Sequence, residues 1–390
     1  MNSSKGVHYE QVRSMYLETM RQEIELTTRS TKCDSEMVWD VLALAAARRS
    51  SIHAACQTLA DAPTAPGILY QLREGWLGRQ SKAELEETLN RLLSSQLPRG
   101  IVGKRHEVAI DATEIPYHGQ AQEDAREIRR GKAKSGTTHF HSYASAYIIR
   151  RGKRVTVAVV PWRAGQAVHD LLQRLLRHLQ RLRVGIKRLL LDRQFCSVSA
   201  CRFLQAQPFQ TIMPVPVRSN RLRRLRRENQ RSQHTSYTIQ SPEAGAVTIP
   251  LYVVRTYLHG RYGKQGVEVH FFTVLGRPWR DSFYRLAQKF RSRFGIESSY
   301  RLMNQVRART ASRDPQLRYL FVVLAFLLIN LWRTLCWLFL AVPRRGGRFL
   351  DSAGFRFRLF CDFLIDAIRM ARKPVRIVFR PSQIPCFLNY

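Results

Sequence analysis

Apolar positions change period along the chain, from helical to alternating. Ser35–Arg48 (SEMVWDVLALAAAR) has apolar residues at helical spacing, Ser50–Leu59 starts a second helix, and the Pro-containing stretch 61–66 stops it. A third helix is predicted over about Gly67–Gly75 and a fourth over Lys82–Leu93, with Ser81 as N-cap and Glu84 three residues on as its capping-box partner. After Pro98-Arg99-Gly100 the pattern becomes strand-like, at Glu107–Thr113, Thr138–Arg150 and Arg154–Pro161. The turn Arg151-Gly152-Lys153 joins the last two as a hairpin. An amphipathic helix follows at Ala167–Arg181, with leucines at 171, 172, 175, 176 and 179. Lys187–Asp192 reads as a buried strand, Ser197–Gln205 as a helix and Gln210–Val217 as a strand.

The resulting order is β-β-β-α-β-α-β. A three-stranded meander followed by alternation with helices predicts an α/β fold with a mixed five-stranded sheet and flanking helices, the order of the ribonuclease H-like fold. The expected organisation is a helical domain at 1–100, a catalytic core at 101–342 and a tail at 343–390. The short helices of 1–100 suit DNA binding and equally suit a plain bundle. Within the core, 218–276 reads as a β-rich insertion with strand-like runs at Ala246–Tyr257 and Gly266–Leu275. Helical character resumes at Asp281, and the tail holds a helix near Phe357–Arg372 and a strand at Val375–Phe379. Leu320–Ile329 is wholly apolar and Leu335–Val342 nearly continues it, so 318–342 is long enough to span a bilayer. Asn330 and Arg333 interrupt it, and a core helix that is apolar all round is the expectation.

Charge changes this picture most. The 390 residues hold 64 Lys+Arg against 29 Asp+Glu, a net charge of +35, and 53 of the basic residues are Arg. A fold carrying this charge repels itself unless a polyanion neutralises it, and the planar fork of Arg matches phosphate oxygens. Nucleic acid is therefore the first expected partner, ahead of an anionic membrane surface; no stable membrane partner is expected. The seven Cys show no CxxC or His/Cys ligand spacing, and MNSSKGVHYE has no apolar signal core. A cytoplasmic, nucleoid-associated location is the expectation. The densest basic run, 218–231, has seven Arg, among them Arg218, Arg221, Arg223, Arg224, Arg226 and Arg227. Such a run is ordinarily a solvated face; in so basic a chain it is read as a DNA-backbone contact.

Three carboxylates stand out by position. Asp111 lies in the first strand (IDATEIPYHG) and Asp192 ends the fourth (LLLDRQF), each behind apolar residues, where a lone buried charge is costly unless paired or metal-bound. Glu297 lies in the helical stretch KFRSRFGIESSYRLMNQVRART, on one face with Arg293, Arg301 and Asn304, with Arg307 near the same stripe. Three acids sharing two hard cations make a site for phosphoryl transfer, with Mg2+ expected and Mn2+ able to substitute. A salt-bridged solvated face is equally compatible with the helix taken alone. Glu114 is a weaker rival to Asp111, because three residues on it points to the opposite strand face. His139 and His141 alternate near Asp111 but are not read as ligands.

These motifs resemble the DDE transposases of insertion sequences, within them the IS-four superfamily and especially its ISH-three-like branch. The resemblance covers about 105–335. It rests on IDATEIPYHG followed by KSGTTHFHSYASAY, on DRQF and on RFGIESSYR…RART. The superfamily's Tyr, Arg, Glu, Lys pattern on the last helix meets Phe290, Arg293, Glu297 and Asn304 here. Arg and Glu match; the Tyr and Lys positions depart. The resemblance implies a Mg2+-dependent transposase in which Asp111, Asp192 and Glu297 hold two ions. Cleavage at element ends frees a 3′-OH that attacks target DNA, and Arg193, Arg293 and Arg301 neutralise phosphates. It also implies the insertion before the last acid. A homodimer on DNA is the expected form. Some relatives hold a flipped base with an insertion Trp; 218–276 has none, which leaves Tyr252, Tyr257 and Tyr262 as stacking candidates, with core packing the competing use of the first two. Two other readings remain: a decayed copy that binds DNA without cutting it, and a basic membrane-associated protein using 318–342.

Overall fold

Capping side chains set the start of most helices in the N-terminal stretch. α1 (Tyr9–Glu23) is followed by α2 (Ser35–Ala47), whose first-turn Met37 amide is held by Asp34, and by α3 (Ile52–Cys56), capped by Ser51. α4 (Ala65–Gly75) is capped by Thr64, with Pro66 in its first turn, and α5 (Lys82–Ser95) begins with the expected Ser81–Glu84 capping box. The sequence pattern singles out no helix before Ser35. α1 lies there because Val12, Tyr16, Leu17 and Met20 form a narrow buried stripe amid charged residues. This computed structural model describes residues 6–30, 33–150, 152–228, 231–259, 265–344, 347–350 and 354–375.

The strands follow in the predicted order, with Arg129–Lys134 and Gln233–Ser241 as additions. They are β1 (Arg105–Pro116), an unpredicted β2 (Arg129–Lys134), β3 (Thr137–Ile148) and β4 (Val155–Trp162). Then come α6 (Val168–Arg181), β5 (Gly185–Leu191), α7 (Val198–Gln205) and β6 (Gln210–Pro214). The basic segment forms α8 (Asn220–Arg227), followed by β7 (Gln233–Ser241), β8 (Gly245–His259) and β9 (Gln265–Gly276). α9 (Phe283–Arg291), a single turn at Ser292–Phe294 and α10 (Gly295–Val306) come next.

These nine strands, β1 to β9, join one mixed sheet in the order β2-β3-β1-β5-β6-β9-β8-β7, with β4 paired to β3. β1, β5 and β6 are parallel neighbours, and β1–β3, β3–β4 and β6–β9 are antiparallel. The insertion is thus not a body apart: its strands prolong the sheet, because β9 hydrogen-bonds along the open edge of β6 from Gln210 to Pro214. Alternation assigns the two faces. Val108, Ile110, Leu189 and Leu191 join the core with Leu171, Leu172 and Leu175 of α6 and Leu204 of α7. Leu190 and Ile212 face the other way, against Leu286 and Ala287 of α9. Asp111 and Asp192 share the parity of this second face.

α11 (Pro315–Leu335), β10 (Ala341–Arg344), β11 (Gly347–Leu350) and α12 (Phe357–Arg372) complete the chain; the strand expected at Val375–Phe379 lies, beyond Val375, outside the described residues. Two units result. One gathers the described residues of Met1–Gln96, Met303–Ser312 and Gln316–Tyr390; the other consists of Leu97–Leu302 and Arg313–Pro315. The long apolar helix therefore belongs with the N-terminal helices, not with the sheet as the boundary at 101–342 anticipates. The reason is visible in its contacts. Pro315–Leu340 is long and apolar enough to cross a membrane, yet 89% of its most apolar stretch is buried. Its polar side chains are matched to the N-terminal helices: Asn330 donates to the Leu93 carbonyl (3.0 Å), Thr334 to that of Gln96 (2.8 Å), and the Asn90 amide to the Tyr319 hydroxyl (3.2 Å). A core helix satisfies such groups in this way.

Within this unit Asp40 of α2 is completely buried and ties three helices together. Arg13 of α1 grips it with Nε and Nη2 (2.9 and 2.7 Å), and Arg372 of α12 adds Nε at 2.7 Å. Removing one partner of a buried ion pair strands the others' charge. Asp40→Ala is expected to destabilise this unit by about 3–5 kcal/mol, read as a lower denaturation midpoint in urea. Both arginines also reach Glu36 (3.3 Å from Arg13, 3.6 Å from Arg372), so an unchanged midpoint would mean that this acid suffices to neutralise them.

Candidate active site

Register brings the first two acids together. β1 and β5 run parallel with Ile110 opposite Leu191, so Asp111 and Asp192 are each the next residue at the same end of adjacent strands. Asp192 ends its strand because the chain turns there into the short helix Arg193–Phe195. Glu297 arrives from the first turn of α10. That helix is fastened to the sheet by two buried hydroxyl pairs, Tyr300 with Ser145 (2.9 Å) and Ser299 with Thr156 (3.2 Å). Ser145 stands directly opposite Asp111 on β3, so the Tyr300 contact sets α10 beside the acid.

One guanidinium collects all three carboxylates. Arg293 Nη1 donates to Asp111 Oδ2 at 2.7 Å, while Nη2 lies 3.4 Å from Glu297 Oε1 and 3.7 Å from Asp192 Oδ1. The other Asp111 oxygen accepts from the Ala112 amide (2.8 Å) and the Gln194 side chain (3.3 Å). Sequence reasoning assigns Arg293 to DNA phosphates. In this structure its side chain is 7% exposed and turned onto the acids, because three negative groups on a half-dry face need a cation. Glu297 is half exposed and Asp192 about a third, so the site opens to solvent on their side.

A polar ladder continues along the same face. Glu107 Oε1, four residues before Asp111, takes Arg188 Nη1 (2.6 Å) and Lys289 Nζ (2.8 Å). Lys289 thus anchors α9 as Arg293 anchors the turn after it. Gln194, Tyr300, Ser145 and Glu107 escaped sequence reasoning. Only Tyr300 had a usable signal, lying one helical turn beyond Glu297. Of the other candidates, Glu114 sits 3.9 Å from Arg129, and His141 packs edge-on against the Tyr117 ring.

The donor set is chemically right for a hard cation, since it is three carboxylates converging on one positive group. As they stand, however, no group of three His, Cys, Asp or Glu side chains among the described residues is arranged to hold an ion. The positive charge at the convergence is Arg293.

The arginines of 218–227 are displayed outward. On α8, Leu222 is buried and Leu225 half-buried, while Arg221, Arg223, Arg224, Arg226 and Arg227 are exposed, as is Arg218 before it. Glu228, 3.5 Å from Arg224, is the acid paired with this helix. Arg193 is exposed beside Asp192, and Arg301 is exposed with a bond to the Ser298 hydroxyl (3.1 Å). Arg307 is half-buried, falls in the other unit and lies one residue beyond the end of α10. Tyr252 is buried as core packing requires; Tyr257, for which core packing was also the expectation, is 73% exposed, and Tyr262 lies outside the described residues.

Burial pushes the Asp111 carboxyl up to about 6, against the pull of Arg293 and with help from the Asp192 charge. An unfolded aspartate titrates near about 4. The folded state therefore holds its proton more tightly, so this group favours folding most below about pH 4 and loses about 3 kcal/mol of that contribution as pH rises through 6. The Asp111 carboxyl carbon should titrate by NMR with a midpoint near 6, and higher in Arg293→Gln. A midpoint at the ordinary aspartate value would contradict the burial of this carboxyl.

No model of a known protein family matches the chain, and no curated protein matches its sequence. Among solved structures it is similar to the piggyBac transposase synaptic complex with hairpin DNA, determined by cryo-EM. The TM-score is 0.53, over 93% of this chain and 77% of that one, at 10% sequence identity. At that identity the likeness is one of fold: the chain has a transposase-like fold.

Proposed function

We propose that this chain is a DDE-type DNA transposase with a ribonuclease H-like core, as its motifs suggest for the IS-four superfamily. One observation carries the reading: three acids from segments far apart in sequence meet at one guanidinium on the sheet face under α9 and α10. The strand order β4-β3-β1-β5-β6 with parallel β1, β5 and β6 supports the core assignment, and the transposase-like fold supports the function class.

In this reading Asp111, Asp192 and Glu297 would hold Mg2+, with Mn2+ substituting, and the bound ions would supply Lewis acidity for phosphoryl transfer. Asp111 is the fixed member, held by the Ala112 amide and Gln194. Glu297 and Asp192 form the open side, where a scissile phosphate has access. Arg193 and Arg301 beside them, and the arginines of α8 with Arg218, neutralise and orient the DNA backbone. Such contacts position the duplex without reading its sequence. The expected partners are element-end and target duplexes, engaged by a homodimer in the nucleoid, with the N-terminal helices contributing to end binding.

The test is cleavage of the terminal DNA of the encoding element in Mg2+. Asp192→Ala and Glu297→Gln are expected still to bind that DNA and to lose cleavage and strand transfer together, by on the order of a thousandfold. A Glu297→Gln chain that cuts normally would remove Glu297 from the site. If the unmodified chain binds its ends and never cuts, the DNA-binding reading replaces this one. Reversing the charge of Arg223, Arg224, Arg226 and Arg227 should flatten the log–log salt dependence of binding by about 0.9 for each phosphate that is no longer neutralised; an unchanged slope would mark α8 as a solvated face.

A further inference from the structure

Arg293 stands where the carboxylates converge, and a guanidinium and a divalent ion cannot share that place. They repel each other and compete for the same oxygen lone pairs. The three contacts are unequal. Nη1 makes a short charge-assisted bond to buried Asp111 at 2.7 Å, whereas Nη2 reaches Glu297 at 3.4 Å and Asp192 at 3.7 Å, both on the solvent side. Nε is buried with no hydrogen-bond partner, a cost that this pose carries. The guanidinium is flanked by the rings of Phe290 and Phe294, each 5.4 Å from its carbon, and Phe294 is half exposed. The side chain is therefore firmly held at one nitrogen and loosely held on its open side, with a donor to spare.

We propose that Arg293 is a displaceable counter-ion: it neutralises the three carboxylates in the ion-free chain, and transfer of its guanidinium to a DNA backbone phosphate frees them for a divalent cation. The proposal rests on the active-site reading above. The same planar fork that fits a carboxylate fits a phosphate, so the exchange replaces one charge-assisted pair by another. No covalent bond changes. Because DNA and the ion both favour the displaced arginine, each strengthens binding of the other, and by linkage the effect is reciprocal. The chain then loads its ion on DNA in preference to doing so free in solution.

The test is Mn2+ binding to the full chain, followed by the paramagnetic resonance of the free ion, with and without a short duplex of arbitrary sequence. Without DNA, Arg293→Gln is expected to bind Mn2+ on the order of tenfold tighter than the unmodified chain. The duplex should tighten Mn2+ binding by the unmodified chain and leave Arg293→Gln unchanged. Arg293→Lys keeps one charge but cannot fork, so it should fall between them, and it decides the question if the Gln variant does not fold. Equal Mn2+ affinity in the variant and the unmodified chain, or an equal effect of DNA on both, would overturn the counter-ion role. Asp111→Asn separates the two claims. If it binds Mn2+ as tightly as the unmodified chain, these carboxylates do not hold the ion and the active-site reading fails. If it loses Mn2+ while Arg293→Gln gains nothing, only the role of Arg293 fails.

Discussion

Parallel pairing of β1 with β5 is the constraint on which the candidate site depends. With Ile110 opposite Leu191, the next residue on each strand is an acid, and the two acids share a face. A one-residue slip of either strand would turn its acid into the apolar core formed with α6 and α7. The apolar residues ahead of the acids hold the register, since Val108, Ile110, Leu189 and Leu191 are all fully buried on the opposite face. Two like charges side by side in a half-dry setting then demand a cation. Arg293, in the turn between α9 and α10, meets that demand.

The central strands are legible because a strand covered on both faces leaves a short, continuous apolar run, and the runs at 107–113, 187–192 and 210–217 fall within or beside the observed strands. Asp111 and Asp192 were legible for the same reason: a carboxylate behind three apolar residues is conspicuous. Glu297 is legible through its arginine neighbours, whereas the contact of Arg293 with the acids is not. Helical spacing showed that Arg293 and Glu297 share a face but not that the face turns inward. Tyr300 and Ser145, which dock that face, are a polar pair distant in sequence, and nothing in local pattern announces such a pair. β2 and β7 were missed because neither has an apolar alternation; Gln233–Ser241 is half-buried at every second position with only Tyr237 and Ile239 as large apolar members.

The other unit shows a different division of labour between composition and context. By composition alone α11 could belong in a lipid bilayer. In this structure it packs as a core helix, with 89% of its most apolar stretch buried and Asn330 and Thr334 each bonded to a backbone carbonyl at the end of α5. The buried faces of the N-terminal helices are completed by α11 and α12, through contacts that span 229 to 338 residues of sequence. The ion pairs of Asp40 with Arg13 and Arg372 are the polar counterpart of that closure.

The continuation of the sheet into β9, β8 and β7 also bears on how the chain avoids other chains. A terminal parallel strand such as β6 would present an open row of amides and carbonyls, a template for strand addition. β9 occupies that row, and the approach is so close that a side chain at Gly276, which has positive φ, would meet the Phe209 carbonyl. The exposed edge is thereby moved outward to β7, whose Gln, His, Thr and Ser side chains make it a poor template for apolar strand pairing. A shorter homologue lacking residues 218–276 would need some other cover for β6, or it would pair with itself through that edge.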